Sequence, residues 1–200
     1  RCRTSAAARL AFCRIWMIRS GLAGFSLLWI FVAVIVGGLL IHGAIYYPLL
    51  AWAFAGKSPR QLFTQGADAL MMGVSTNSSL ATVPTTLHCL TRNMGVSEQS
   101  ARLSACVSTN LNNDGITLYE AMAVLFLAQA FGIELSLGMQ LAVVAASIMA
   151  AIGVAGIPEA GLIVLPLVLG AAGLPEWIIA AAIPLILPVD WFVARARSGV

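Results

Sequence analysis

Charged residues are scarce in this chain. Asp, Glu, Lys and Arg make up 10% of its 200 residues, whereas soluble globular domains carry about 25%. The four cysteines include no CxxC pair, so neither a metal site nor a disulfide framework is predicted. The basic residues form no stripe interleaved with aromatics, so a nucleic-acid partner is not predicted either. The sequence lacks the features of a soluble domain.

Apolar residues are abundant instead, at 60% of the chain, with a mean hydropathy of +0.93. The run between Arg19 and Lys57 carries no charge and exceeds the ~20 residues that a membrane-spanning helix needs. It is also too long for the core of a signal peptide. The composition predicts an all-α integral membrane protein, with a truncated loop or helix end at 1–23 and a transmembrane helix at 24–56. Both ends read as cuts through a larger protein.

Two later segments predict helical hairpins. The first, 62–93, is interrupted by a serine-rich stretch and by Pro84, which removes a backbone hydrogen bond. The second, 136–174, would be about 60 Å long as one helix, twice the thickness of the bilayer core. Each segment must therefore turn back, with tips at 75–82 and 153–161.

The segment 98–132 is apolar but is broken by the polar stretch STNLNNDGITLY. Irregular backbone at membrane depth is tolerated only where protein or water satisfies its polar groups. The break therefore predicts one wall of a binding cavity, although an extramembrane loop between two short helices stays open. With a truncated last helix at 176–200, the transport core would span 57–200.

Each predicted hairpin leaves the chain on its starting side and is followed by one crossing. The second hairpin-plus-helix unit must then be inverted relative to the first. Inverted repeats with interrupted helices are typical of secondary transporters, whose sites form where the breaks meet.

Four motifs occur in order along the chain: SSLATVP, NNDGITLY, AAIGVAGIPEAG and DWFVARARS. Together, over residues 24–200, they resemble the C-terminal core of the dicarboxylate/amino acid:cation symporter family, the glutamate transporter family. The resemblance implies an elevator-type symporter, in which a transport domain with two re-entrant hairpins carries substrate and cations across the cell (inner or plasma) membrane. It also implies a multi-pass homotrimer surrounded by lipid.

The resemblance assigns substrate contacts to both tips and to the last helix. Hydroxyls and helix-terminal N–H groups can hold a carboxylate, and the planar fork of an arginine can bind one bidentately. Leu80 stands where the family usually has a third serine. The expected substrate-binding residues are Ser78, Ser79, Gly156, Asp190, Arg197 and Ser198.

The resemblance also assigns a cation site to the broken helix. Carboxylate, amide and carbonyl oxygens suit a hard cation such as sodium. In the family's Asn-Met-Asp-Gly-Thr motif, this chain has Asn113 for the methionine and Ile116 for the threonine, which leaves sodium and a proton both open. Gly115 is expected to permit unwound backbone. The expected cation-binding residues are Asn110, Asn112, Asp114 and Ile152, of which Asn112 and Asp114 are the expected sodium ligands.

Ala194 is the departure that bears on the substrate. Amino-acid-transporting members have an aspartate at this position, which receives the substrate's ammonium group. An unpaired ammonium in a low-dielectric cavity is unfavourable. The expected substrate is a small anionic solute, either a C4-dicarboxylate, which is favoured, or an acidic amino acid. Glu159 at the second hairpin tip could supply a carboxylate for the ammonium group, so an acidic amino acid stays an alternative substrate.

Other functions stay open at this stage. An intramembrane aspartyl protease would use Asp114 and Asp190, because two aspartates that share a proton can be catalytic. However, neither aspartate lies in a Gly-x-Gly-Asp stretch. A channel with interrupted helices and a non-functional transporter fragment are further alternatives. A transporter without enzymatic activity or prosthetic cofactor is the prediction.

Overall fold

The computed structural model describes residues 28–111, 113–154 and 159–199, and every regular element within these ranges is a helix. This confirms the all-helical prediction for the described part of the chain. The helices are α1 Leu28–Ala55, which contains a π-helical turn at His42–Tyr46, α2 Pro59–Gln65, α3 Ala67–Thr76, α4 Ser79–His88, which continues into a π-helical turn at Cys89–Asn93, α5 Glu98–Leu111, α6 Asp114–Ala130, α7 Leu137–Gly153, α8 Ala160–Ala171 and α9 Glu176–Gly199.

Among the described helices, α1 is the one long and apolar enough to cross a membrane by length and composition. Phe31, Ile35 and Leu39 recur every four residues and are buried, so they form the face that packs on the core. The Phe31 ring stacks on Phe126 of α6, with 4.4 Å between the centroids. Other apolar side chains of α1, such as Phe54, are exposed, as expected of a surface that contacts lipid.

Helices α3 and α4 form the first helix pair, and they pack against each other. Asn77 ends α3 in the left-handed region, with φ of 51°, a conformation that asparagine tolerates better than most residues. Ser78 then caps α4, because its hydroxyl accepts a hydrogen bond from the Ala81 N–H at 3.3 Å. The chain therefore reverses within two residues, and α4 continues through Pro84.

Helices α7 and α8 form the second helix pair and also pack against each other. The first helix begins at a Ser136 cap, which accepts from the Met139 N–H. Both helices contact α6, which contributes fully buried side chains such as Tyr119 and Leu127 to the core. The broken segment α5–α6 thus lies against the second helix pair.

Helix α9 contacts α3, α6 and α8, so it meets both helix pairs and the segment after the break. Asp190, Ala194 and Arg197 are all buried on the face that makes these contacts. The spacing i, i+4, i+7 predicts one face, and the structure places the three residues on it.

Candidate substrate and cation site

A buried ion pair lies at the centre of the candidate site. Nη1 of Arg197 donates to Oδ1 of Asp190 at 2.8 Å, and both side chains are at least 96% buried. The ring of Tyr119 faces the guanidinium carbon at 4.9 Å, within the range of a cation–π contact. A guanidinium carries five N–H donors, and Asp190 accepts the one hydrogen bond that it makes to the described residues. The other donors make no hydrogen bond to the described residues, and their geometry suits an anionic ligand.

Two glycines allow this arginine to approach α6 and α8. A Cβ built on Gly161 would lie 2.6 Å from Nη1 of Arg197, and one on Gly115 would lie 2.8 Å from both its Cγ and its carbonyl oxygen. Neither glycine has a positive φ, so the requirement is for space rather than for an unusual backbone. The expectation that Gly115 permits unwound backbone is therefore wrong, since it lies in the first turn of α6.

The first helix pair reaches the same region through its break. The hydroxyl of Ser198 donates to Oδ1 of Asn77 at 2.8 Å. Ser78 and Ser79 follow as the cap and first residue of α4, and both are half-buried. The structure thus places the predicted serines beside a residue that contacts α9, while Gly156 lies outside the described residues.

Asp114, the first residue of α6, contacts α1. Its Oδ2 accepts a hydrogen bond from the Tyr47 hydroxyl at 2.7 Å and lies 3.1 Å from Nε2 of His42. This position at the start of a helix is favourable for a carboxylate, because the N-terminal end carries partial positive charge. Asn112, the other expected sodium ligand, lies outside the described residues.

Asn110 and Ile152, the other residues expected to bind a cation, lie near the side chain of Asn113. Nδ2 of Asn113 donates to the carbonyl oxygens of Ala151 at 2.8 Å, Asn110 at 3.2 Å and Val154 at 3.4 Å. Ile152 lies between two of these carbonyls in sequence, with an exposed side chain. The predicted cation set is therefore divided: the Asp114 carboxylate faces α1, while the Asn110 carbonyl faces α7.

Sequence reasoning missed one buried carboxyl group. Glu120 is fully buried, and neither of its carboxylate oxygens has a hydrogen-bond partner among the described residues. A buried ionisable side chain without a hydrogen-bond partner is a functional candidate. The signal was its position inside the apolar run TLYEAMAVLF. Tyr47, Asn77 and Tyr119 were missed too, because a sequence does not show which distant helices they contact.

Interrupted helices beside a binding site are typical of secondary transporters. The model of the sodium:dicarboxylate symporter family matches residues 10–200. The chain belongs to this family, which confirms the resemblance seen in its motifs. The family is one of transporters rather than enzymes, which speaks against the aspartyl protease.

Three curated relatives show how far the similarity extends. Human excitatory amino acid transporter 1 is 40% identical over 178 residues, 89% of this chain and 32% of the relative. Human excitatory amino acid transporter 2 is 36% identical over 170 residues, 85% of this chain and 29% of the relative. Mouse excitatory amino acid transporter 3 is 37% identical over 176 residues, 88% of this chain and 33% of the relative. The chain spans about a third of the length of these relatives.

Proposed function

We propose that the protein is a sodium-coupled symporter of a small anionic solute, with a C4-dicarboxylate preferred over an acidic amino acid. The observation that carries this proposal is the Arg197 guanidinium, which is buried and gives one hydrogen bond to Asp190. Its remaining N–H groups suit a carboxylate, which an arginine binds bidentately. A buried arginine in a span is functional by default.

Ala194 supports the preference for a dicarboxylate. It lies one turn from Arg197 on the same buried face and offers a methyl group rather than a carboxylate. A substrate ammonium placed there would lose its hydration without gaining a partner. A dicarboxylate has no such group, and its second carboxylate can be held by the hydroxyl and N–H groups at the start of α4, beside Ser78 and Ser79.

Sodium is the proposed coupling ion, in keeping with the family's description. The carboxylate of Asp114 supplies the kind of oxygen that a hard cation prefers. In this proposal the helix pairs α3–α4 and α7–α8 are the two re-entrant hairpins of a transport domain. The protein would work by an elevator movement, as a homotrimer in the cell membrane.

The second candidate substrate is an acidic amino acid. The relatives are named excitatory amino acid transporters. Glu159, immediately before α8, has a φ of 59° and is half-buried. Its carboxylate is the group that would take the place of the missing aspartate in pairing with an ammonium.

The test is uptake of radiolabelled succinate and aspartate by the purified protein in proteoliposomes. An inward sodium gradient is compared with an inward proton gradient. Sodium-driven uptake of succinate, with little uptake of aspartate, is expected. Aspartate-selective uptake would replace the dicarboxylate with the amino acid, and the absence of gradient-driven uptake of both would contradict the proposed symport.

Two variants connect uptake to the site. Arg197→Lys keeps the charge but removes the planar fork, so succinate uptake should fall at least tenfold, in line with about 1.5–3 kcal/mol for a hydrogen bond to a charged group. Arg195→Lys is the matched control, because this half-buried arginine donates to the Trp191 carbonyl and stacks on the Trp191 ring. It should leave uptake within a factor of two. Equal losses in both variants would remove Arg197 from the substrate site.

A further inference from the structure

Three backbone carbonyl oxygens converge on one point beside the break between α5 and α6. They belong to Asn110, Ala151 and Val154, and they lie 2.8–3.4 Å from Nδ2 of Asn113. Asn113 itself is buried, at 9% exposure. The point is therefore bordered by three carbonyl oxygens and occupied by a side-chain amide of the same chain.

The carbonyls come from two helix ends. Asn110 is in the last turn of α5, Ala151 is in the last turn of α7, and Val154 follows α7 directly. The last four carbonyls of a helix lack intrahelical partners, and the C-terminal end of a helix carries partial negative charge. Two such ends aimed at one point create a site that favours positive charge. In transporters with discontinuous helices, such ends coordinate the coupling cation.

The geometry also fixes how the amide is turned. An asparagine amide offers two N–H donors on one side and one oxygen on the other. Three acceptor oxygens at one point require the NH₂ group there, since the amide oxygen would be repelled. The partly positive NH₂ of Asn113 thus satisfies the carbonyls that would otherwise face a cation.

We propose that these three carbonyls form a sodium site that the Asn113 amide fills. This protein would then bind one sodium ion fewer than a variant that lacks the amide. This inference rests on the proposed symport, because it concerns the number of coupling ions. A hard cation lies about 2.3–2.6 Å from its oxygens. A cation in the place of the amide would therefore draw the carbonyls inward from their present 2.8–3.4 Å, by about 0.2 Å for the nearest and about 1 Å for the farthest.

The proposal predicts opposite effects for substitutions that differ in charge. Asn113→Ala removes the donor and leaves space among the carbonyls, so one sodium ion should enter. Asn113→Asp places a carboxylate beside three carbonyl oxygens, so a cation is required there and sodium affinity should be highest. Asn93→Ala is the matched control, because its exposed amide donates to the single carbonyl of Gln65 at 2.9 Å.

The experiment counts bound ²²Na⁺ on the purified, detergent-solubilised protein without substrate, and measures its melting temperature in sodium against choline. Asn113→Ala and Asn113→Asp should each bind one more sodium ion per molecule than the unsubstituted protein. Both variants should gain a sodium-dependent rise in melting temperature, while Asn93→Ala should match the unsubstituted protein. If Asn113→Ala does not fold without sodium but folds with it, the proposal is supported as well.

The proposal is overturned if both variants bind the same number of sodium ions as the unsubstituted protein and are destabilised equally in sodium and choline. The Asn113 amide would then only stabilise the packing of α6 against α7. Because ion counting needs no transport, this outcome is separate from a failure of the symport, which appears as absent uptake by the unsubstituted protein.

Discussion

The hydroxyl of Ser198 donates a 2.8 Å hydrogen bond to Oδ1 of Asn77, a residue 121 positions earlier in the chain. The bond joins the end of α9 to the break between α3 and α4. It therefore connects the helix that carries Arg197 to the tip that carries Ser78. The relative position of the two parts of the proposed substrate site depends in part on this contact, beside the packing of α9 on α3.

A double-mutant cycle measures that dependence. Ser198→Ala removes the donor, and Asn77→Gly removes the acceptor while keeping a residue that adopts a positive φ readily. Each single change should lower the free energy of unfolding by about 1 kcal/mol. The double variant should lose little more than either single variant, because the contact is already broken. Purely additive losses, measured by denaturation in detergent, would mean that the hydrogen bond does not couple the two residues.

Gly161→Ala should act on the guanidinium rather than on the fold. Its added Cβ would lie 2.6 Å from Nη1 of Arg197, and this atom is the far end of a flexible side chain that can move away. The displaced guanidinium should bind a substrate carboxylate more weakly. We expect the KM for succinate to rise about tenfold, as for the loss of one charged hydrogen bond of about 1.5 kcal/mol, with the maximal rate retained.

Gly170→Ala in the same helix provides the control, because a Cβ there meets no atom within 4 Å. It should leave KM unchanged and, as an alanine in a helix, leave stability equal or higher. If the KM of Gly161→Ala also stays unchanged while Arg197→Lys is impaired, the space at this glycine does not set the position of the guanidinium.

Tyr47→Phe tests the hydrogen bond to Asp114. Removing the hydroxyl that donates to Oδ2 at 2.7 Å should lower the free energy of unfolding by about 1 kcal/mol. This is less than the loss typical of a hydrogen bond to a buried charged group, because Asp114 is partly exposed. Tyr46→Phe is the neighbouring control, since Tyr46 is exposed and stacks on His42 through its ring. A comparable loss in both variants would show that the ring, rather than the hydroxyl, stabilises this region.

The hydropathy pattern and the helix-capping residues predicted the helical class, because both depend on local sequence. The run without charge around α1 and the serine before α4 are both readable from the sequence. The spacing from Asp190 to Arg197 likewise predicts one face of α9. The contacts of Asn113 and Gly161 were not predictable, since each depends on the approach of a helix far away in the chain. Asn113 appeared only as a departure from a motif, whereas the structure gives its amide three acceptors.

The attachment of α1 to α6 has a mechanical consequence. Asp114 contacts His42 and Tyr47 at one end of α6, and Phe126 stacks on Phe31 about 18 Å further along the helix. Two contacts at this distance oppose independent rotation or sliding of the two helices, so a displacement of α6 is expected to carry α1 with it. In the proposed elevator movement, the exposed apolar side chains of α1 would then move through the surrounding hydrocarbon. The thickness and viscosity of the bilayer would become resistances that the moving domain overcomes in every transport cycle.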